Sequence, residues 1–100
     1  MEHLYQYTTD ITNFCKRHHV KTLYAFGSVL TDRFNNDSDI DLVVDIDERN
    51  PIDYAEHYFD LKFALEDLFK RPIDLLEERA IKNPYFIKHL NNSKQLLYAR

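Results

Sequence analysis

Two aspartates separated by one residue, Asp39 and Asp41, open the apolar segment 39–46. Alternate residues of a strand project from the same face, so the two carboxylates are expected about 7 Å apart on one face. Ionised carboxylates this close repel each other, and a divalent cation that prefers oxygen ligands, such as Mg²⁺, removes the repulsion. Two metal ions about 4 Å apart assist in-line displacement at phosphorus. The pair predicts metal-assisted chemistry at phosphate; the simpler alternative is that Asp39 caps a turn and Asp41 is solvated.

The chain contains one glycine, Gly27, which is followed by Ser28 at the end of an apolar segment. Glycine lets the backbone approach a ligand closely. A helical turn that begins at Ser28 would direct free N–H groups and a hydroxyl toward an anion. An ordinary strand-to-helix turn with a serine cap explains the same two residues without any ligand. Beside a metal-binding carboxylate pair, however, the dipeptide predicts a phosphate cradle, and the two features together predict a nucleoside triphosphate site.

A third acidic residue, Asp74, lies between Ile73 and Leu75 in the segment "RPIDLLE". Its side chain is expected on the face opposite to these two apolar neighbours. If this strand lies beside the strand 39–46, Asp74 joins the two aspartates and either ligates a metal or accepts the proton of an attacking hydroxyl. The alternative is a polar residue on the open face of an edge strand.

The spacing of apolar residues predicts the elements that position these groups. Helices are predicted over residues 2–18, 53–69 (with Asp53 as N-cap) and 77–90, the last interrupted at Asn83 by Pro84. Strands are predicted over residues 20–27, 39–46, 71–77 and 94–99, with a turn at 35–38. The expected α/β (α+β) architecture is a single domain, residues 1–100, with one layer of helices on a small sheet.

Composition excludes several classes of function. The net charge of −4 argues against a large nucleic-acid interface, which requires a basic face, and against docking on an anionic membrane. The single cysteine, Cys15, is predicted to be a core residue in a reducing compartment, and without a leader-like or membrane-spanning segment we expect a cytoplasmic protein. Seven Tyr and seven Phe leave room for an apolar patch that binds a second copy or another protein. The histidines show no metal-ligand spacing and are expected at the surface or at helix ends: His3, His18, His19, His57 and His89.

The segment "GSVLTDRFNNDSDID", residues 27–41, resembles the G-S-x(10)-D-x-D signature of the nucleotidyltransferase superfamily, which has the DNA polymerase β-like fold. The short length and the helix-first order most resemble the minimal nucleotidyltransferases, which occur beside a HEPN-domain partner in prokaryotic two-gene modules. "RPIDLLEERAI" is similar to the strand that carries the family's third carboxylate, and "KQLLYA" to its closing strand. The resemblance covers nearly the whole chain and implies a small mixed sheet flanked by helices.

By this resemblance, Gly27 and Ser28 hold the triphosphate, Asp39 and Asp41 bind two Mg²⁺ ions, and Asp74 completes the metal site or serves as the base. The implied reaction transfers a nucleoside monophosphate from an NTP, most often AMP from ATP, to a hydroxyl group and releases pyrophosphate. The implied partner is a HEPN-domain toxin encoded nearby, whose tyrosine is the acceptor. The chain would then be an antitoxin.

Many relatives carry a basic residue three positions after the serine and a glycine after that, where this chain has Thr31 and Asp32. The departure supports an alternative, a catalytically weak or inactive module that neutralises its partner by contact. The intact signature and Asp74 favour an active enzyme, because a surface that only binds a partner does not need three acidic residues directed at one point. Another basic residue could support the triphosphate, and four remain open: Arg33, Arg49, Lys70 and Arg71.

Overall fold

Four strands form one mixed sheet in the computed structural model, which describes residues 2–100 and their side chains from Leu4 onward. The strands are β1 (Val20–Phe26), β2 (Ile40–Ile46), β3 (Ile73–Glu77) and β4 (Gln95–Ala99), in the order β3-β2-β1-β4. β2 runs antiparallel to β1 and parallel to β3, and β4 runs antiparallel to β1. The small mixed sheet and all four predicted strands are therefore confirmed.

The predicted helix over residues 2–18 is wrong in one respect, because it consists of two helices, α1 (Glu2–Tyr5) and α2 (Thr8–Arg17). The backbone N–H of Tyr7 donates to the Leu4 carbonyl at 3.1 Å, and the Thr8 hydroxyl donates to the Tyr5 carbonyl at 2.6 Å. These bonds close a tight turn, since a hydroxyl that bonds the local backbone competes with a continuous helix.

The long helix α3 (Pro51–Phe69) begins with a different cap from the one predicted. The cap is Asn50, whose side-chain oxygen accepts hydrogen bonds from the N–H groups of Ile52 and Asp53 at 2.9 and 3.1 Å. Pro51 takes the first helical position, where its missing N–H costs nothing and its fixed φ suits the helix. Asp53 instead lies in the first turn, where its charge favours the helix dipole.

The C-terminal helix α4 (Pro84–Ser93) repeats this device. Asn83 accepts hydrogen bonds from the N–H groups of Tyr85 and Phe86 at 2.9 and 3.2 Å. A short 3₁₀ segment, Glu78–Ala80, precedes it. The predicted interruption of the helical region before Pro84 is thus confirmed.

The hydrophobic core lies between α2, α3 and one face of the sheet. The central residues of β2, Leu42, Val43 and Val44, are at most 1% exposed, so the middle of this strand is buried on both faces. Cys15 is fully buried, and its burial raises the pKa of the thiol to about 12. The cysteine is therefore a packing residue.

The second face of the sheet also receives a helix, which the sequence did not predict. Phe86 of α4 packs edge-on against Phe26, with ring centroids 6.1 Å apart. Lys94, which follows α4, lies 4.1 Å above the ring of Tyr24. The two β1 aromatics project from this face and lose apolar exposure through these contacts. None of the described helices is both long and apolar enough to cross a lipid bilayer.

Candidate active site

Asp41 and Asp74 are direct neighbours on the parallel strands β2 and β3. Paired residues of adjacent strands project from the same face, with strand axes about 4.8 Å apart. On the other side of β2, Phe26 is the partner of Asp41. The register therefore brings together the end of β1, the start of β2 and the start of β3 at one end of the second sheet face. Asp74 thus lies beside Asp41, as the sequence predicts.

Asp39 lies one residue before β2 and is exposed. The preceding turn is held by its own side chains, since the N–H of Asn35 donates to the Ser38 hydroxyl at 3.1 Å. Arg71 fixes the turn from outside by donating to the carbonyl oxygens of Asn35 and Ser38 at 2.9 and 3.0 Å. The predicted turn is confirmed. Because Arg71 holds the residue directly before Asp39, it helps to position that aspartate.

The three carboxylates interact electrostatically. Partial burial raises the pKa of Asp41, and the neighbouring charges of Asp74 and Asp39 raise it further. Among the described side chains, no lysine, arginine or histidine forms an ion pair with any of the three. The site therefore offers oxygen donors whose mutual repulsion is uncompensated within residues 4–100, and this donor set fits Mg²⁺.

Asp45 provides a comparison within the same strand. It lies on the same face of β2 as Asp41, four residues along. Arg79 neutralises it, with 3.1 Å between Nη2 and the carboxylate oxygen. The fold thus supplies a cation to the acidic residue at one end of the face and leaves the carboxylates at the other end without one.

Gly27 lies against Asp41 and has a positive φ of 76°. A β-carbon at this position would lie 2.5 Å from Oδ2 of Asp41, closer than any real contact. Both the conformation and the space therefore require glycine. Gly27 opens a four-residue 3₁₀ turn, Gly27–Leu30.

A cavity of about 650 Å³ adjoins this turn. Gly27 and Ser28 line it, together with Arg33, His89 and four further residues: Leu30, Thr31, Ser93 and Gln95. Its walls therefore come from the turn after β1 and from the region around α4. This places the G-S dipeptide between the carboxylates and a cleft that is open to solvent.

Thr31, one of the two departures from the pattern that the resemblance implies, has a structural partner. Its backbone N–H and its hydroxyl both donate to the Ser28 carbonyl, each at 2.9 Å. The Thr31 hydroxyl also accepts from the N–H of Arg33 at 3.2 Å. Asp32 is exposed and does not line the cavity, so the acidic departure lies away from the cleft.

Of the four basic residues that the sequence left open, Arg33 alone lines this cavity. Lys70 pairs with Asp67 at 3.1 Å, and Arg71 is bonded to the turn at 35–38. Arg49 follows the far end of β2. Arg33 is therefore the one of these four residues that shares the cavity with Gly27 and Ser28.

A second group of polar side chains lies beyond the far end of β2. The spacing of these residues in the sequence did not predict it. The ligand atoms of His19, Glu48 and His57 lie within 4.8 Å of one another. His18, predicted at a helix end, does cap α2, but it is only 8% exposed. The side chain of His3 lies outside the described part of the chain. Tertiary structure alone assembles this group from three separate segments.

Comparisons with known proteins identify the family. Residues 9–100 match the family model described as polymerase beta, nucleotidyltransferase. A relative from Methanocaldococcus jannaschii, named as a candidate protein adenylyltransferase, is 33% identical over 82 residues, which are 82% of this chain and 79% of the relative. A solved structure described as that of a candidate minimal nucleotidyltransferase superimposes with a TM-score of 0.73 at 30% identity, covering 94% of this chain and 92% of the other.

A third similarity concerns the fold alone, because the sequence identity is only 16%. The structure is a complex of a tri-AMPylated HEPN toxin from Shewanella oneidensis with an MNT antitoxin, and it matches with a TM-score of 0.65. The match covers 97% of this chain and 73% of the other chain. From the family match over residues 9–100 and the agreement of fold and motif, we conclude that this chain is a nucleotidyltransferase of the polymerase β family, of the minimal type.

Proposed function

We propose that this enzyme is a Mg²⁺-dependent adenylyltransferase that moves AMP from ATP to a hydroxyl group of a partner protein. The observation that carries the proposal is the crowding of Asp41 by Asp39 and Asp74. Among the described side chains, no lysine, arginine or histidine forms an ion pair with these three carboxylates. Such a cluster is unfavourable unless a divalent ion neutralises it. The name of the Methanocaldococcus relative supports AMP as the transferred group.

The residues take roles that follow from their places. Asp39 and Asp41 would hold two Mg²⁺ ions, which would neutralise charge on the phosphates. Gly27 and Ser28 approach the triphosphate from the cavity side. The acceptor oxygen forms a bond to the α-phosphorus, the bond from that phosphorus to the bridging oxygen breaks, and pyrophosphate leaves. Asp74 completes the metal site or accepts the proton of the hydroxyl.

Arg33 supplies the positive charge for the triphosphate in this proposal. It lines the cavity with Gly27 and Ser28. An arginine fork binds phosphate oxygens in pairs, which a lysine does not. It would thus replace, two residues later, the basic residue that many relatives have at the position of Thr31.

The proposed partner is a HEPN-domain toxin, and the proposed acceptor is one of its tyrosines, so that the chain acts as a cytoplasmic antitoxin. The support is the shared fold with the MNT antitoxin that forms a complex with a tri-AMPylated HEPN toxin. Exposed apolar side chains on α3, Ile52, Phe59 and Phe63, are available for contact with a second chain.

The test is calorimetric titration of ATP into the purified protein with and without Mg²⁺. We expect binding only with Mg²⁺, loss of this binding in Asp41→Asn, and a tenfold or greater loss in Arg33→Ala. Asp45→Asn is the matched control, because this residue lies on the same strand face but is already paired with Arg79. Equal ATP affinity in the Asp41 and Asp45 variants would contradict the assignment.

A second candidate function is neutralisation of the toxin by contact, without transfer. The presence of Thr31 rather than a basic residue beside the turn favours it. The two functions separate when the partner is incubated with ATP, Mg²⁺ and either wild type or Asp41→Asn. A gain of AMP mass on the partner only with wild type supports transfer, whereas full neutralisation by both proteins without added mass supports contact.

A further inference from the structure

Four potential metal ligands from three separate segments meet beyond the far end of β2. His18 and His19 connect α2 to β1, Glu48 follows β2, and His57 lies in the second turn of α3. The ligand atoms of His19, Glu48 and His57 lie within 4.8 Å of one another, and this is the one such three-residue group among the described residues. Its composition is unlike that of the aspartate cluster, since imidazole nitrogens are present.

The spacings within the group suit a tetrahedral ion. Nδ1 of His19 lies 3.6 Å from Oε2 of Glu48, and Nδ1 of His18 lies 3.2 Å from Nδ1 of His57. Zn²⁺ binds histidine nitrogen and carboxylate oxygen at about 2.0–2.2 Å, so neighbouring ligands of a tetrahedral site are about 3.3–3.6 Å apart. Both measured pairs are close to this separation.

The backbone and its hydrogen bonds hold the ligands in place. His19 has a positive φ of 59°, and its carbonyl accepts from the N–H of Asp47 at 2.8 Å, which ties it to the end of β2. Oε1 of Glu48 accepts from the N–H of Asn50 at 3.0 Å and leaves Oε2 directed at His19. A histidine in the left-handed region is uncommon and frequently accompanies a functional constraint.

We propose that His19, Glu48 and His57 form a structural Zn²⁺ site, with His18 or a water molecule as the fourth ligand. Nitrogen-rich ligand sets select zinc over Mg²⁺, which prefers oxygen ligands and octahedral geometry. A bound ion would join the α2–β1 connection, the end of β2 and α3. The seven residues of β2 separate this site from the start of the strand, roughly 20 Å away. The proposal is therefore independent of the nucleotidyl transfer described above.

The alternative is a metal-free arrangement in which His19 and Glu48 form an ion pair and the rings of His19 and His57 pack against each other at a tilt, with centroids 4.5 Å apart. Such a group would bind zinc no better than other surface histidines. Zinc affinity and its dependence on these residues therefore decide between the two.

The experiment uses the full chain, stripped of metal, and titrates ZnCl₂ by calorimetry while thermal unfolding is followed at each zinc concentration. We expect one zinc ion per chain at this site and a rise in Tm of about 10 °C or more at a hundredfold excess over Kd. His57→Ala should weaken this binding at least a hundredfold. Glu48→Gln, which keeps the shape and removes the charge, should weaken it at least tenfold.

Two controls make the result specific. Glu56→Gln alters an exposed carboxylate next to His57 and should leave zinc binding unchanged. Asp41→Asn removes an aspartate of the separate cluster and should also leave this zinc ion in place. Zinc binding that survives in both His57→Ala and Glu48→Gln, or that disappears only in Asp41→Asn, would overturn the proposal. So would a Tm that zinc does not change.

Discussion

Oδ2 of Asp41 lies in the space that a β-carbon of Gly27 would need, 2.5 Å from the ideal position of that atom. The turn after β1 and the carboxylate at the start of β2 therefore fit together as one unit. The positive φ of Gly27 adds a second requirement at the same residue. The two parts of the G-S-to-D-x-D signature, which are separated in sequence by the whole connection from β1 to β2, are in direct contact.

Replacing Gly27 with alanine should destabilise the protein and abolish nucleotide binding. The left-handed backbone alone costs a non-glycine residue about 1–2 kcal/mol, and the clash with Asp41 adds to this. Urea denaturation of Gly27→Ala, Asp41→Ala and the double variant measures the two parts. We expect the loss caused by Gly27→Ala to shrink by about 1 kcal/mol when Asp41 is also alanine. Strict additivity would show that the contact does not matter.

Asp41→Asn should stabilise the metal-free protein at neutral pH. Folding raises the pKa of Asp41, so this carboxyl holds its proton more tightly in the folded protein than in the unfolded chain. The free energy of unfolding therefore falls as the pH rises from the unfolded pKa through the folded pKa. Asparagine removes this loss. We expect a gain of at most about 1 kcal/mol at pH 7, since solvent screens a partly exposed carboxylate.

The gain from Asp41→Asn should disappear under two conditions, both measurable by urea denaturation. Below about pH 3 the wild-type aspartate is itself protonated in both states, so the two proteins should become equally stable. In Mg²⁺ the wild type should become the more stable of the two, because the ion binds only the folded site. A gain that persists at low pH would refute the electrostatic explanation.

Arg79 should prove important for stability although it lies outside the candidate site. Its Nη2 donates to Asp45 at 3.1 Å and to the Ile46 carbonyl, and its guanidinium lies 4.8 Å above the ring of Tyr54. Arg79→Lys keeps the charge but loses the planar fork, so we expect a loss of roughly 1–2 kcal/mol by urea denaturation. Arg100→Ala, which breaks an exposed pair with Asp47, is the control and should lower stability less than Arg79→Lys does, because solvent screens an exposed pair.

Lys70→Gly should stabilise the protein. Lys70 ends α3 with a φ of 56°, in the left-handed region that glycine adopts freely. Its ion pair with Asp67 is highly exposed and contributes little. We expect a net gain of about 0.5 kcal/mol and a Tm higher by roughly 2–4 °C in scanning calorimetry. The same substitution inside the helix, Lys62→Gly, should instead lower stability by about 1 kcal/mol, so a loss at both positions would contradict the reasoning.

The strands and the aspartate cluster could be predicted because short-range patterns determine them. The apolar neighbours of Asp74 and the apolar segment after Asp39 indicate which face of the sheet each aspartate occupies. The parallel register of β2 and β3 then places Asp74 beside Asp41. The limits of the helices were harder to predict. Asn50 and Asp53 are both good caps in sequence, and only the proline between them favours Asn50.

The histidine group could not have been predicted, because β1 and β2 separate His19 from Glu48 in sequence and His57 lies in the helix that follows. His19, Glu48 and His57 approach one another only after α3 folds back along the sheet. The role of Arg33 was open for a related reason. Which of four basic side chains faces the cleft depends on the turn closed by Thr31, and that turn is set by bonds to the Ser28 carbonyl.

The chain contains a single glycine in 100 residues, whereas an average protein has about seven per hundred. Glycine is the residue that gives an unfolded chain most of its freedom, so this chain loses less conformational entropy on folding than one of average composition. His19 and Lys70 enter the left-handed region without it. The one residue that gives this chain the backbone freedom of glycine, Gly27, therefore lies beside the carboxylates, where its conformation is used.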